Sequence, residues 1–91
     1  MAKILVIDDE PEMLDLIRII LEGVGHKVQT CNTGRKAWDS VVEAKPDLVV
    51  LDVMLPGVDG YSLQTQMAQE PATKSIPIII LVCYVPEKSL S

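Results

Sequence analysis

Three aspartates follow two apolar runs, and they are the residues in this sequence best placed to do chemistry. Asp8 and Asp9 come directly after the apolar residues 4–7, and Asp52 comes directly after the apolar residues 48–51. Short runs rich in Val and Ile are typical of strands that are buried on both faces of a parallel sheet. Because ligands bind beyond the carboxyl ends of such strands, the three carboxylates are predicted to meet at one sheet edge.

Three carboxylates at one edge are costly to ionise together unless a cation lies between them. A site made of oxygen ligands, only a few of them charged, suits Mg²⁺. The sequence therefore predicts a magnesium site with one carboxylate left to react. An alternative is that Asp8, Asp9 and Glu10 only cap a helix, because acidic residues also favour a first helical turn. The corresponding alternative for Asp52 is a turn residue after a strand.

Strand and helix patterns alternate along the chain. The strands are predicted at residues 3–8, 27–31, 47–53 and 77–82. The first helix is predicted to begin at Pro11, the second to follow Gly34 and stop at Pro46, and the third to begin at the cap residue Asp59 and end near Glu70. Repeated strand-helix-strand units predict a parallel sheet with right-handed crossovers and helices on both faces.

Three motifs of this chain resemble the receiver domain of two-component response regulators. They are Ile-Leu-Val-Ile-Asp-Asp-Glu at 4–10, Leu-Asp-Val-Met-Leu-Pro-Gly-Val-Asp-Gly at 51–60, and Ile-Pro-Ile-Ile-Ile-Leu at 76–81. The resemblance implies an α/β, flavodoxin-like, doubly wound parallel sheet with strand order 2-1-3-4, in a single domain over residues 1–91. In the family a helix, a fifth strand and a last helix follow, so a domain truncated after the fourth strand is expected.

The resemblance also implies a role for each site residue. Asp52 matches the phosphoacceptor, whose carboxylate attacks phosphorus and forms an acyl phosphate. Asp9, Asp52 and the backbone carbonyl of Met54 match the direct Mg²⁺ ligands, and Asp8 matches a residue that acts through a metal-bound water. The expected phosphoryl donors are a histidine kinase, a phosphotransfer protein or a small phosphodonor. The chain is not expected to be an enzyme beyond phosphotransfer to its own Asp52.

Two features of the family are missing from this sequence. Val82 stands where the family usually has Thr or Ser, whose hydroxyl hydrogen-bonds a phosphoryl oxygen, and a methyl group makes no such bond. The lysine that pairs with the phosphoryl group belongs to the fifth strand, so no residue here inherits its role. A truncated, non-switching interaction or oligomerisation module with impaired phosphorylation is therefore one alternative function. A Mg²⁺-dependent aspartyl phosphohydrolase is another, although those enzymes space their two aspartates differently from Asp8 and Asp9.

Composition narrows the classes of partner and compartment. The chain has 91 residues, 48% of them apolar, and a net charge of -5, as expected for one small soluble domain in the cytoplasm. The acidic balance, with no Lys/Arg cluster, argues against direct nucleic-acid binding, and the longest apolar stretch is too short to span a bilayer. Cys31 and Cys83 are predicted three strand spacings apart, roughly 14 Å, which is too far for a disulfide.

The first helix carries more apolar surface than one sheet contact requires. Its apolar positions cover an arc of roughly 220°, whereas a helix packed on a sheet needs a little over 100°. We therefore expect either Leu16 and Ile19 or Leu14 and Leu21 to be exposed in a monomer. The exposed pair is predicted to form part of a contact in a homodimer or larger oligomer.

Overall fold

The computed structural model describes residues 2–52 and 60–81, in which strands and helices alternate. The four strands are β1 (Lys3–Ile7), β2 (Lys27–Cys31), β3 (Leu48–Asp52) and β4 (Ile78–Leu81). The helices are α1 (Pro11–Gly23), α2 (Ala37–Ala44) and α3 (Gly60–Gln69), and a 3₁₀ turn, Gly34–Lys36, precedes α2. Within these ranges, no helix has the length and apolar content needed to cross a bilayer.

The four strands form one parallel sheet in the order β2-β1-β3-β4. In this sheet Ile7 is paired with Cys31 on β2 and with Leu51 on β3, and Asp52 is paired with Leu81 on β4. The carboxyl ends of all four strands therefore meet at one edge. The order and the parallel direction confirm the predicted flavodoxin-like, doubly wound fold class.

Several strands were predicted to be one residue longer at one end than the structure shows. β1 ends at Ile7. The Asp8 N–H still donates to the Cys31 carbonyl of β2 at 3.1 Å, and the Asp8 carboxylate accepts a hydrogen bond from the Glu10 N–H at 2.9 Å as the chain enters the loop before α1. β3 begins at Leu48 and β4 at Ile78, one residue later than predicted in each case. The predicted ends at Val53 and Val82, and the predicted cap Asp59, lie outside the described residues.

The sheet has two apolar faces, which we name by the residues that point to them. The first face carries Ile4, Val6 and Val50, and α1 packs on it through Leu14, Ile17 and Leu21. The second face carries Leu5, Ile7, Val49 and Leu51, and α2 and α3 pack on it through Ala37, Val41, Leu63 and Met67. Helices thus lie on both faces, as the alternating pattern predicted. Both clusters hold the strand ends in place beneath the edge where the aspartates lie.

The structure decides between the two predicted apolar pairs on α1. Leu14 is 5% exposed, and Leu21 is partly buried against the same cluster, so this alternative is excluded. Leu16 is 53% exposed and Ile19 61% exposed, which confirms the exposure of the other pair. Leu14 and Leu21 are seven residues apart, two helical turns, and therefore share the side of α1 that faces the sheet.

Two polar residues, His26 and Asp47, hold the start of β1. The Nδ1 atom of His26 accepts a hydrogen bond from the Ala2 N–H at 3.0 Å. Asp47 and Lys3 exchange two hydrogen bonds: the Lys3 N–H donates to Asp47 Oδ2 at 2.8 Å, and the Asp47 N–H donates to the Lys3 carbonyl at 2.7 Å. These contacts join the start of β1 to its two neighbours in the sheet.

Cys31 is a buried free thiol, as predicted. It ends β2, and its Sγ atom donates a hydrogen bond to the Thr33 carbonyl at 3.2 Å. Cys83, the other cysteine, lies outside the described residues. The predicted lack of a disulfide between the two therefore stays a prediction.

Thr73 is a buried polar residue that holds the end of α3. It is 2% exposed, and its hydroxyl donates to the Met67 carbonyl at 2.7 Å, in the last turn of the helix. We expect Thr73→Val to lower the free energy of unfolding by about 1–2 kcal/mol, because the variant loses a buried donor at almost constant volume. Urea titration followed by circular dichroism measures this loss. The same change at the exposed Thr30 of β2 is the control, and equal losses in both variants would contradict the assignment.

Candidate functional site

The pairing of β1 with β3 brings the predicted site residues to one edge. Ile7 pairs with Leu51, so Asp8 and Asp52, each the next residue along its chain, come to neighbouring positions at the carboxyl ends of two adjacent strands. Adjacent strands lie about 4.8 Å apart. Asp52 is the last residue of β3, and Asp9 follows Asp8 in the loop before α1. The backbone therefore has the juxtaposition that the apolar runs predicted.

Asp8 is held at this edge by backbone hydrogen bonds. It is 4% exposed, its N–H donates to the Cys31 carbonyl at 3.1 Å, and its Oδ1 atom accepts from the Glu10 N–H at 2.9 Å. A buried carboxylate is costly unless hydrogen bonds or a cation compensate for its lost hydration. The bond to Glu10 supplies part of that compensation and fixes the loop between β1 and α1.

The side chain of Glu10 does not cap α1. Glu10 occupies the N-cap position, yet its side chain makes no capping hydrogen bond. The Asp8 carboxylate accepts its hydrogen bond from the N–H of Glu10, the N-cap residue itself, which precedes the first helical residue, Pro11. Asp9 is exposed at the same edge. Capping of α1 by the Glu10 side chain is therefore excluded, and the Asp8 carboxylate instead binds the backbone of the loop before the helix.

The carboxylate residues at this edge are of the type that a hard cation prefers. Mg²⁺ is held in proteins by one or two carboxylates and keeps several waters, so an exposed carboxylate beside a buried one on a loop is a suitable arrangement. Among the described residues, no group of three or more His, Cys, Asp or Glu side chains could hold a metal ion. The predicted ligand set therefore also depends on Asp52 and on Met54, which lies outside the described residues.

Comparison with known proteins agrees with the fold and the motifs. The model of the response regulator receiver domain matches residues 4–89. The DNA-binding dual master transcriptional regulator RpaA of Synechocystis is 41% identical over 81 residues, which is 89% of this chain and 34% of that relative. This chain thus spans about a third of the length of RpaA.

Solved structures of receiver domains superpose on this chain over nearly its whole length. The N-terminal domain of a response regulator receiver protein from Methanoculleus marisnigri is 32% identical, with a TM-score of 0.85 over 99% of this chain and 75% of that one. The response regulator TrrA of Thermotoga maritima, solved in complex with Mg²⁺-BeF, is 31% identical, with a TM-score of 0.84 over 98% of this chain and 76% of that one.

Sequence, strand order and structural similarity all lead to the same family. The matched motifs include the apolar runs that end at Asp8 and Asp52, and the superposed structures share the parallel sheet that brings those ends together. Proteins of this kind are signalling modules rather than classical enzymes. The chain belongs to the response regulator receiver domain family of two-component signalling systems.

Proposed function

We propose that this chain accepts a phosphoryl group on Asp52, in a site where Asp8, Asp9, Asp52 and the Met54 carbonyl hold Mg²⁺. The observation that carries the proposal is the register of β1 and β3, in which Ile7 pairs with Leu51. This register brings the acidic loop after β1 beside the last residue of β3. Family membership adds support, because phosphorylation on Asp with Mg²⁺ is a general property of receiver domains.

In the proposed reaction the Asp52 carboxylate attacks the phosphorus of a phosphohistidine. A phosphorus–oxygen bond to Asp52 forms, the phosphorus–nitrogen bond breaks, and its electron pair returns to the imidazole of the donor. Phosphoryl transfer asks a protein mainly for positioning and for compensation of charge on the phosphoryl oxygens. Mg²⁺, when bound, supplies that compensation.

The other two aspartates position the reaction. Asp8 is buried and hydrogen-bonded to the Glu10 N–H, so its carboxylate has a fixed direction at the edge. Asp9 is exposed, which leaves the edge open to a macromolecular donor. We infer that the donor is a histidine kinase or a phosphotransfer protein, and that transfer takes place in the cytoplasm.

In this proposal the chain accepts a phosphoryl group, but Val82 does not support the conformational response that the family's hydroxyl residue makes to that group. A valine there offers no hydroxyl to a phosphoryl oxygen. Acceptance needs the carboxylate and the cation, whereas switching also needs groups that respond to the phosphoryl oxygens. The output of this chain is therefore proposed to pass through protein contacts. Its net charge of -5 offers little attraction for nucleic acid.

The intact mass of the protein tests this function directly. After incubation with Mg²⁺ and acetyl phosphate, we expect one added phosphoryl group on the unmodified chain and none on Asp52→Ala or in excess chelator. Hydroxylamine should remove the group, because it cleaves acyl phosphates. An equal adduct on Asp52→Ala would place phosphorylation elsewhere. No adduct on a chain that circular dichroism shows to be folded would reject the proposal and favour a non-switching interaction module.

A further inference from the structure

A hydrogen bond to an imidazole nitrogen joins the starts of β1 and β2. The Nδ1 atom of His26 accepts from the Ala2 N–H at 3.0 Å, and the Ala2 carbonyl accepts from the Lys27 N–H at 2.9 Å. Ala2 is therefore held through both of its backbone groups, one of them by a side chain. β1 lies inside the sheet, between β2 and β3, so these bonds fix the amino end of a central strand.

The backbone around His26 fixes the position of its ring. α1 ends at Gly23, and Gly25 follows with a φ of 99°, a conformation that glycine adopts without strain. The turn through Gly25 brings the His26 N–H to the Leu21 carbonyl, to which it donates at 3.2 Å. His26 is thus tied to the last turn of α1 through its backbone and to the start of β1 through its ring.

The hydrogen bond to Ala2 requires a neutral imidazole. A neutral ring has one nitrogen that donates and one that accepts, whereas an imidazolium donates through both. Because Nδ1 accepts from the Ala2 N–H, the proton of the neutral His26 ring belongs on Nε2. A proton added to Nδ1 would face the Ala2 N–H with a second donor. The bond therefore breaks when His26 is protonated.

The charged groups around His26 do not compensate for an added proton. Lys3 of β1, Lys27 of β2 and Glu22 of α1 line a cavity of about 520 Å³ together with His26. The two ammonium groups oppose a further positive charge. Glu22 favours one, but its carboxylate is already paired with Arg18 at 3.3 Å. Protonation thus breaks the hydrogen bond of the ring and meets no unpaired carboxylate among the described residues that line this cavity.

We propose that His26 is a pH-sensitive latch, which holds the start of β1 against β2 while its ring is neutral and releases it when the ring is protonated. Histidine is the side chain that ordinarily changes its charge between about pH 5 and pH 8, and His26 is the only histidine of the sequence. In this range the unfolded chain binds the proton more readily, because only the folded chain loses a hydrogen bond by binding it. The stability of the fold therefore falls as the pH is lowered. The latch lies at the amino edge of the sheet, opposite the edge where Asp8 and Asp52 lie.

Urea unfolding at about pH 8 and about pH 5.5 tests the latch. On acidification, we expect the unfolding equilibrium constant to rise about three- to tenfold more for the unmodified chain than for His26→Asn, as the loss of one hydrogen bond implies. Asparagine keeps an acceptor, Oδ1, near the place of Nδ1 but takes up no proton, so it removes the contribution of the imidazole alone. His26→Phe keeps a ring without an acceptor. It should be about three- to tenfold worse than the unmodified chain near pH 8 and should approach it near pH 5.5.

Nuclear magnetic resonance of the unmodified chain gives a readout that needs no variant. Near pH 8 the ring should carry its proton on Nε2, and the Ala2 amide, in protein whose intact mass shows Met1 to be present, should be protected from hydrogen exchange. That protection should fall as the ring is protonated. A proton on Nδ1 near pH 8 would overturn the proposal, and so would an Ala2 amide that is equally protected at both pH values. A pH dependence of unfolding that a folded His26→Asn shares in full would also reject it, since other groups would then account for the change.

Discussion

Asp8→Asn is expected to lower Mg²⁺ affinity by about 10–100-fold, the usual effect of removing a group that orients metal ligands or metal-bound water. Phosphoryl uptake at Asp52 should fall with it at any Mg²⁺ concentration below saturation. The asparagine keeps an oxygen where Asp8 Oδ1 accepts the Glu10 N–H, so the loop before α1 should keep its conformation. The variant therefore removes the charge while it leaves the hydrogen bond in place.

Asp8→Ala separates the electrostatic role of Asp8 from its structural role. The alanine removes both the charge and the acceptor for the Glu10 N–H. In addition to the loss of Mg²⁺ affinity, we expect the free energy of unfolding to fall by about 1–3 kcal/mol. Calorimetric titration with Mg²⁺ measures the affinity, and urea unfolding measures the stability. Asp39→Asn, at an exposed position on α2, is the charge-matched control. Unchanged Mg²⁺ affinity in Asp8→Asn would contradict the proposed ligand set.

The sheet and the meeting of its strand ends could be predicted because both follow from local sequence. Each apolar run forms a strand, and parallel pairing then brings the carboxyl ends of those strands together whatever the loops do. The prediction failed only at the ends of strands. Asp8 could not be assigned to strand or loop in advance, because its place depends on the hydrogen bond that its own side chain makes with Glu10.

The orientation of α1 could be predicted only up to two alternatives. Spacing along the helix shows which residues share a side, but it does not show which side faces the sheet when most sides are apolar. Packing against Ile4 and Val6 selects Leu14 for burial, and this leaves Leu16 and Ile19 exposed. The missing information is which residues of the sheet α1 contacts, and the spacing within α1 does not contain it.

The hydrogen bonds at the start of β1 could not be predicted, because the paired residues lie far apart in the sequence. His26 is 24 residues from Ala2, and Asp47 is 44 residues from Lys3, so no short motif contains either pair. A histidine after Gly25 gives the same local signal whether its ring faces water or a backbone N–H. Such contacts become visible only when the register of the strands is known.

Leu51→Ala is expected to lower the free energy of unfolding by about 2–5 kcal/mol, as for other fully buried leucines. Leu51 is 0% exposed, lies in the cluster on the second face, and is paired with Ile7 and Ile80. The free energy of unfolding of a domain of this size is roughly 5–15 kcal/mol in total, so the variant should lose a large part of its stability. Urea titration measures the change, and Val42→Ala, at an exposed position, should stay within about 0.5 kcal/mol of the unmodified chain.

Magnesium should recover part of the stability that Leu51→Ala loses, because the proposed site exists only in the folded sheet. A ligand that binds only the folded state at about 100 times its dissociation constant adds about 2.7 kcal/mol. Adding Asp8→Asn to Leu51→Ala should remove most of this gain at the same Mg²⁺ concentration. If Mg²⁺ stabilised both variants equally, the cation would be binding elsewhere, and the coupling between the core beneath Asp52 and the acidic edge would be disproved.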